Sequence, residues 1–270
     1  MKVELLIKQA IEGDKVALKG VIESIQDDIY YLALRMLASP EDAEDATQEI
    51  LVKVITKLSS FGFRSKFKTW VYRIAANYLI SNKKFINKEA VPTFDAYKAD
   101  LEYDLEEPST DLMNSPEYYY MLNELRIFCT ISMLMCFSPS SRMAYILGEI
   151  FELEHQEASQ ILGISKDTYR KQLSRARIKL VKFMSTACGL ANEHVSCSCD
   201  RKLKGAICRG RVDSKNMRFC YTSNSTYEEI QQKAKETQKE LKTVTLQRSI
   251  SHYKSPSKLS ELLDVLINNN

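Results

Sequence analysis

The chain has 270 residues with 38 basic and 35 acidic side chains, a net charge of +3. Its length predicts two domains with room for a further small module, and 44% hydrophobic with 27% charged residues fits a globular chain, neither fibrous nor disordered. The longest nearly uncharged apolar run, Ile127 to Phe137, is far shorter than the ~20 residues a spanning helix needs, so no membrane insertion is expected. The first residues, MKVELLIKQAIEGD, carry acids and no small-residue cleavage site, which predicts a cytoplasmic protein without a signal peptide.

In chain order, Leu5, Leu6 and Ala10 predict a short first helix that stops near Gly13-Asp14. A second helix is expected from Lys15 to Leu37, with Val21, Ile25, Ile29, Leu32 and Met36 as its stripe. Ser39-Pro40-Glu41-Asp42 starts a third: a capping Ser, Pro at the first position and acids in the first turn. It runs through Ala46, Ile50, Val54 and Leu58, and leaves Asp42, Glu44, Asp45, Gln48 and Glu49 outside the stripe as an acidic face. After the loop Phe61-Gly62-Phe63-Arg64-Ser65, Ser65 is expected to cap a fourth helix reaching Phe85. On it Phe67, Val71, Ile74, Ala75 and Tyr78 point inward, while Thr69, Tyr72, Arg73, Ala76, Asn77, Ile80, Lys83 and Lys84 lie outward. Tyr, Arg, Asn and Lys on one face suit unstacked bases and phosphates, and an aromatic loop beside it suits a flipped base.

Residues 86–116 hold 8 acids against 2 bases with Pro92, Pro108 and Pro116, and read as an acidic, unstructured linker. The flanks are basic: 13 against 11 in 1–85, 9 against 7 in 117–185 and 14 against 9 in 186–270. Near-neutrality therefore hides basic segments, and does not argue against nucleic acid. Helical periodicity returns from Glu117 to Met184. Within it, one helix ends at Leu162, Gly163 turns the chain, and Ser165 can cap a second helix. Tyr169, Leu173, Ala176 and Leu180 fall on one side of that helix; Asp167, Arg170, Lys171, Ser174 and Arg175 fall on the other. This is the division a major-groove recognition helix needs. A helical hairpin with a solvated basic face is the simpler alternative on this segment alone.

SPEDAEDATQEILVKVITKLSSF and SKFKTWVYRIAANYLIS together resemble region 2 of the sigma-70-type initiation factors of bacterial RNA polymerase, and the helix-turn-helix resembles region 4. With only a short linker between the blocks, the chain resembles the extracytoplasmic-function (group 4) subfamily over residues 1–185. The resemblance implies an all-α fold: a region 2-like helical bundle (1–85), the linker (86–116), a region 4-like helix-turn-helix domain (117–185) and a Cys-containing basic extension (186–270). It implies that Asp42, Glu44, Asp45, Gln48 and Glu49 dock on the β′ clamp of core RNA polymerase, with the β subunit also contacted. It places Phe61, Phe63, Arg64 and Ser65 at the loop that captures a −10 base, and Lys68, Trp70, Tyr72, Arg73 and Asn77 on the promoter-melting helix. Ser165, Asp167, Thr168, Arg170, Lys171, Ser174, Arg175 and Arg177 lie on the helix matching the −35 reader. The linker matches the segment that threads toward the polymerase active-site and RNA-exit channels. Expected partners are core polymerase and promoter DNA, and an anti-sigma factor is left open.

No P-loop, nucleophile elbow or HExxH motif is present, so an enzyme is not expected and no cofactor is required. Five of the seven cysteines lie between Cys188 and Cys220. Cys188, His194, Cys197, Cys199 and Cys208 are candidate zinc ligands, although Cys197-x-Cys199 is tighter than common zinc spacings. Redox-sensing and inert thiols are the alternatives, and Cys129 and Cys136 read as core. Seven bases against Asp213 alone between Arg201 and Arg218 suit upstream DNA, a fold back onto the acidic linker that holds the factor inactive, or plain solvation. Two amphipathic helices are expected at Tyr227–Leu246 and Leu259–Ile267. A polymerase-independent helix-turn-helix regulator and a metal or thiol sensor stand as rival functions.

Overall fold

The computed structural model describes residues 2–82, 92–219, 226–250 and 255–256. Among these every regular element is helical: α1 (Lys2–Ile11), α2 (Lys15–Leu37), α3 (Pro40–Lys57), α4 (Phe67–Ser81), α5 (Phe94–Glu102), α6 (Thr110–Met113), α7 (Tyr118–Ser132), α8 (Pro139–Tyr145), α9 (His155–Leu162), α10 (Lys166–Ala187), α11 (Cys199–Cys208), α12 (Tyr227–Glu236) and α13 (Lys239–Arg248). Short 3-10 turns follow α3 and α7, and one π-helical turn, Ile146–Ile150, follows α8. The described residues divide into two compact units, 2–82 with 153–169 and 255–256, and 92–152 with 170–219 and 226–250.

In the first unit α1, α3 and α4 pack on α2. Asp14 caps α2 by accepting the Val16 and Ala17 amides at 2.8 and 3.1 Å, and the helix buries the whole expected stripe, Val21, Ile25, Ile29, Leu32 and Met36. Such a cap contributes ~1 kcal/mol. Ser39 caps α3 through the Asp42 amide at 3.2 Å with Pro40 at the first position. The register of α1 differs from expectation: Ile7 is fully buried, whereas Leu5 is 59% exposed. Three neighbouring apolar residues left the inward side ambiguous, and packing against α2 selects it. The fourth helix starts without a side-chain cap, since the Ser65 hydroxyl donates to the Lys66 carbonyl instead. Its expected end at Phe85, with Lys83 and Lys84, lies outside the described residues.

In the second unit α7 is central. Tyr118, Met121, Leu122 and Leu125 form one apolar core with Leu203, Ala206, Val212, Met217 and Tyr227. Glu124 is buried in the same helix and accepts the Arg218 and Phe219 amides at 2.7 and 2.8 Å. The C-terminal extension therefore shares its hydrophobic interior with α7. The linker also departs from the unstructured reading: α5 and α6 are formed, capped by Thr93 and Ser109. Composition alone leaves such a segment unable to bury apolar area; partners far along the chain supply its order, as described below. The expected helix over Tyr227–Leu246 is two helices, α12 and α13, because the chain is extended at Thr237. Leu259–Ile267 lies outside the described residues.

Candidate nucleic-acid and polymerase interface

The acidic face of α3 follows from its packing. Ala43, Ala46, Thr47, Ile50, Leu51 and Val54 turn inward, and the Thr47 hydroxyl donates to the Ala43 carbonyl at 2.6 Å. Asp45 and Glu49 are left exposed; Asp42, Glu44 and Gln48 are half-buried at the edge of the same face.

The loop after α3 is organised by aromatic rings. Phe61 is buried and lies 4.7 Å from Phe63, 5.4 Å from Phe67 and 5.4 Å from Trp70 between centroids. Phe63 takes a left-handed backbone (φ +54°) that leaves its ring 43% exposed. Such strain in a non-glycine residue is seen most often where a site requires it. Around these rings opens a cleft of about 650 Å³, lined by Phe61, Gly62, Arg64, Ser65, Trp70 and Arg73 among others. That lies within the range of small-molecule pockets, and its lining combines the Phe61 and Trp70 rings with two guanidinium groups, Arg64 and Arg73.

On α4, Arg73, Asn77 and Lys68 are exposed and Trp70 is half-buried. Lys68 pairs with Asp28 at 2.5 Å. Thr69, Tyr72 and Ala76, expected outward, are buried. The reason is α9, which packs on α4 within this unit. Thr69 donates to Glu157 at 2.5 Å, Lys66 pairs with the same carboxylate at 3.5 Å, and Gln160 lines the cleft. Burial, with Asp28 and Glu157 nearby, pushes the Tyr72 phenol up, so it remains a neutral hydroxyl. No pattern within α4 signals this, because a helical wheel shows which sides are polar but not which neighbour covers them.

The helix-turn-helix is built as its sequence predicts. Gly163 ends α9 in the left-handed region (φ +66°), where glycine has no steric penalty. The Ser165 hydroxyl accepts the Thr168 amide at 3.1 Å. Tyr169, Leu173, Ala176 and Leu180 are buried. Ser165, Asp167, Thr168, Arg170, Lys171, Ser174, Arg175 and Arg177 are exposed. Arg177 is also engaged, its Nε donating to Glu149 at 2.9 Å.

The cysteines divide. Cys188, Cys197 and Cys199 line one apolar cavity of about 30 Å³ with Cys129 from α7, whereas His194 and Cys208 are exposed and apart from it. Burial pushes the Cys129 and Cys197 thiols up to about 12, and raises those of Cys188 and Cys199. Among the described residues no three His, Cys, Asp or Glu side chains are arranged to hold a metal ion. The five candidate ligands are not brought together as one set, since His194 and Cys208 lie apart from Cys188, Cys197 and Cys199. A Cβ at Gly189 would meet the Cys197 carbonyl at 2.4 Å, so only glycine permits the close turn around the cavity.

The family model described as Sigma-70 region 2 matches residues 21–85, and that described as Sigma-70, region 4 matches residues 128–180. The ECF RNA polymerase sigma factor SigW of Bacillus subtilis is 30% identical over 193 residues, spanning 67% of this chain and 96% of that protein. The chain belongs to the extracytoplasmic-function sigma-70 family. The ECF RNA polymerase sigma-E factor of Escherichia coli K12 is 29% identical over 180 residues, 64% of this chain and 90% of that protein. A solved structure of CnrH in complex with the cytosolic domain of CnrY is 19% identical with a TM-score of 0.48, over 67% of this chain and 96% of that one. This sigma-70 member is thus an RNA polymerase sigma factor that directs promoter-specific transcription, which favours neither the polymerase-independent regulator nor the sensor. About a third of the chain falls outside the match to SigW. No helix among the described residues is long and apolar enough to cross a membrane.

Proposed function

We propose that this sigma factor divides its work among three surfaces. Asp42, Glu44, Asp45, Gln48 and Glu49 on α3 dock on the β′ clamp of core polymerase. The loop residues Phe61, Phe63, Arg64 and Ser65, with the cleft beside them, take a −10 base out of the stack, while Lys68, Trp70, Tyr72, Arg73 and Asn77 support strand separation. The exposed face of α10, Ser165 to Arg177, reads the −35 element in the major groove. The protein performs no covalent chemistry, uses no cofactor and acts in the cytoplasm. One observation carries the reading: a cleft of about 650 Å³ with aromatic walls and Arg64 and Arg73 in its lining, beside an exposed Asn77. Duplex readers have no need of such a cleft, because their bases stay stacked. Engagement of Thr69 and Tyr72 with DNA requires α9 to leave α4.

Reconstitution with core polymerase on promoter DNA tests this. Arg73→Ala and Asn77→Ala are expected to keep core affinity within about twofold, and to cut open-complex formation about tenfold or more, on the scale of one lost stacking or charged contact. Equal loss of both activities would refute the assignment.

A further inference from the structure

The order of the linker comes from the C-terminal extension. Arg211 grips Asp100 with both guanidinium nitrogens at 2.6 and 2.8 Å, and Arg209 joins it at 2.8 Å while also pairing with Asp104. Lys204 pairs with Glu106 at 2.5 Å and Arg201 with Glu107 at 3.0 Å. Lys202 is 2% exposed and donates to the Asp100 and Tyr103 carbonyls at 2.5 and 2.6 Å. The Asp100 carbonyl lies in the last turn of α5, whose carbonyls lack intrahelical partners, and Tyr103 directly follows the helix, so a lysine about a hundred residues away caps the linker helix. The Glu106 amide donates to the Arg201 carbonyl at 3.0 Å. Gly205 lets the two backbones meet, since a Cβ there would stand 2.9 Å from the Asp104 Cβ. Four of the five acids between Asp100 and Glu107 are thus held by α11 and the turn after it.

Single exposed ion pairs contribute little. Here, however, they surround a buried lysine and a half-buried bidentate arginine pair, over backbone in direct contact. The geometry is that of a binding site for a polyanionic strand, occupied by the chain's own linker. We propose that α11 and residues 209–211 form a built-in competitor for the linker: the extension holds the acidic strand in the free protein and must release it before core polymerase takes it up. This rests on the sigma-factor reading above. The cost of release weakens polymerase binding, and any event that loosens α11 strengthens it.

The test uses the full chain with Arg209→Ala/Arg211→Ala, and a second variant, Arg201→Glu/Lys204→Glu, that reverses charge at one half-buried and one exposed position outside the apolar core. Hydrogen exchange in peptides spanning 94–107 of the free protein is expected to rise about tenfold or more in both. Affinity for core polymerase, measured with a fluorescent label, is expected to tighten about tenfold, the equivalent of ~1.4 kcal/mol. Arg209→Lys/Arg211→Lys keeps the charge but loses the bidentate grip, and is expected to fall between the wild type and the alanine variant. If exchange is unchanged, or rises with no gain in core affinity while the wild type binds core, the competitor is refuted and the sigma reading stands. If neither wild type nor variants bind core, the sigma reading itself fails and the proposal with it.

Discussion

Two acidic stretches of similar charge sit in different settings. On α3, Asp45 and Glu49 are exposed on a helix that turns Ala43, Ala46, Thr47, Ile50, Leu51 and Val54 inward. Between Asp100 and Glu107 the acids are met by Arg201, Lys204, Arg209 and Arg211 from the other end of the chain. The pairing with Arg211, with Lys202 and Arg209 adding, holds the Asp100 carboxyl below the usual carboxylate range. Charge density alone therefore says nothing about availability. What decides is whether an apolar core behind the opposite charges brings them into register. Leu203 and Ala206 lie in the core with α7, and this presents the basic residues of α11 to the linker.

Breaking that core should have the largest effect on the contrast. Leu203→Ala removes a fully buried side chain, and is expected to destabilise the second unit by about 2–5 kcal/mol. Chemical denaturation would report this, and the linker would lose its exchange protection while α3 keeps its own. Gly205→Ala comes next. Its Cβ would press on the Asp104 Cβ and, at 3.0 Å, on its carbonyl oxygen, an overpacking that costs roughly 1–3 kcal/mol and should raise exchange in 94–107 with α7 still folded. The other stretch gives the opposite pattern. Asp45→Lys/Glu49→Lys should alter stability by no more than about 0.5 kcal/mol per exposed site, yet weaken core polymerase binding about tenfold or more; intact affinity would remove α3 from the docking surface. The smallest effect is that of mild acid. A lowered carboxyl pKa contributes stability that is complete above the unfolded value, near 3.9, and is lost only as pH falls through the lowered value. Linker protection, corrected for intrinsic exchange, should therefore stay flat from about pH 7 to pH 5. Loss within that window would mean Asp100 does not anchor the contact.

Much of the molecule was legible locally. The stripe of α2, the Ser39-Pro40 start of α3, and Gly163 with Ser165 each act within a few residues, and all appear where periodicity and capping chemistry place them. The exposed face of α10 was legible for the same reason, since Tyr169, Leu173, Ala176 and Leu180 share one side of one helix. What escaped was decided at a distance. Thr69 and Tyr72 look outward on a helical wheel and are buried by α9. Cys129 reads as a core thiol, and the structure adds that it shares a cavity with Cys188, Cys197 and Cys199. The linker looks disordered because its order depends on Lys202 and Arg211, about a hundred residues away. Charge complementarity offers the linker contact only as one of three readings of the basic stretch, and packing selects it.

The core shared by α7 and α11 also bears on how the protein is made. Leu122 emerges from the ribosome roughly 80 residues before Leu203, the partner that covers it. At about 5–20 residues per second this leaves the apolar side of α7 bare for on the order of 4–16 s during translation. The nascent chain is then most exposed to aggregation and to chaperone capture, and any stall between these two leucines would prolong that interval.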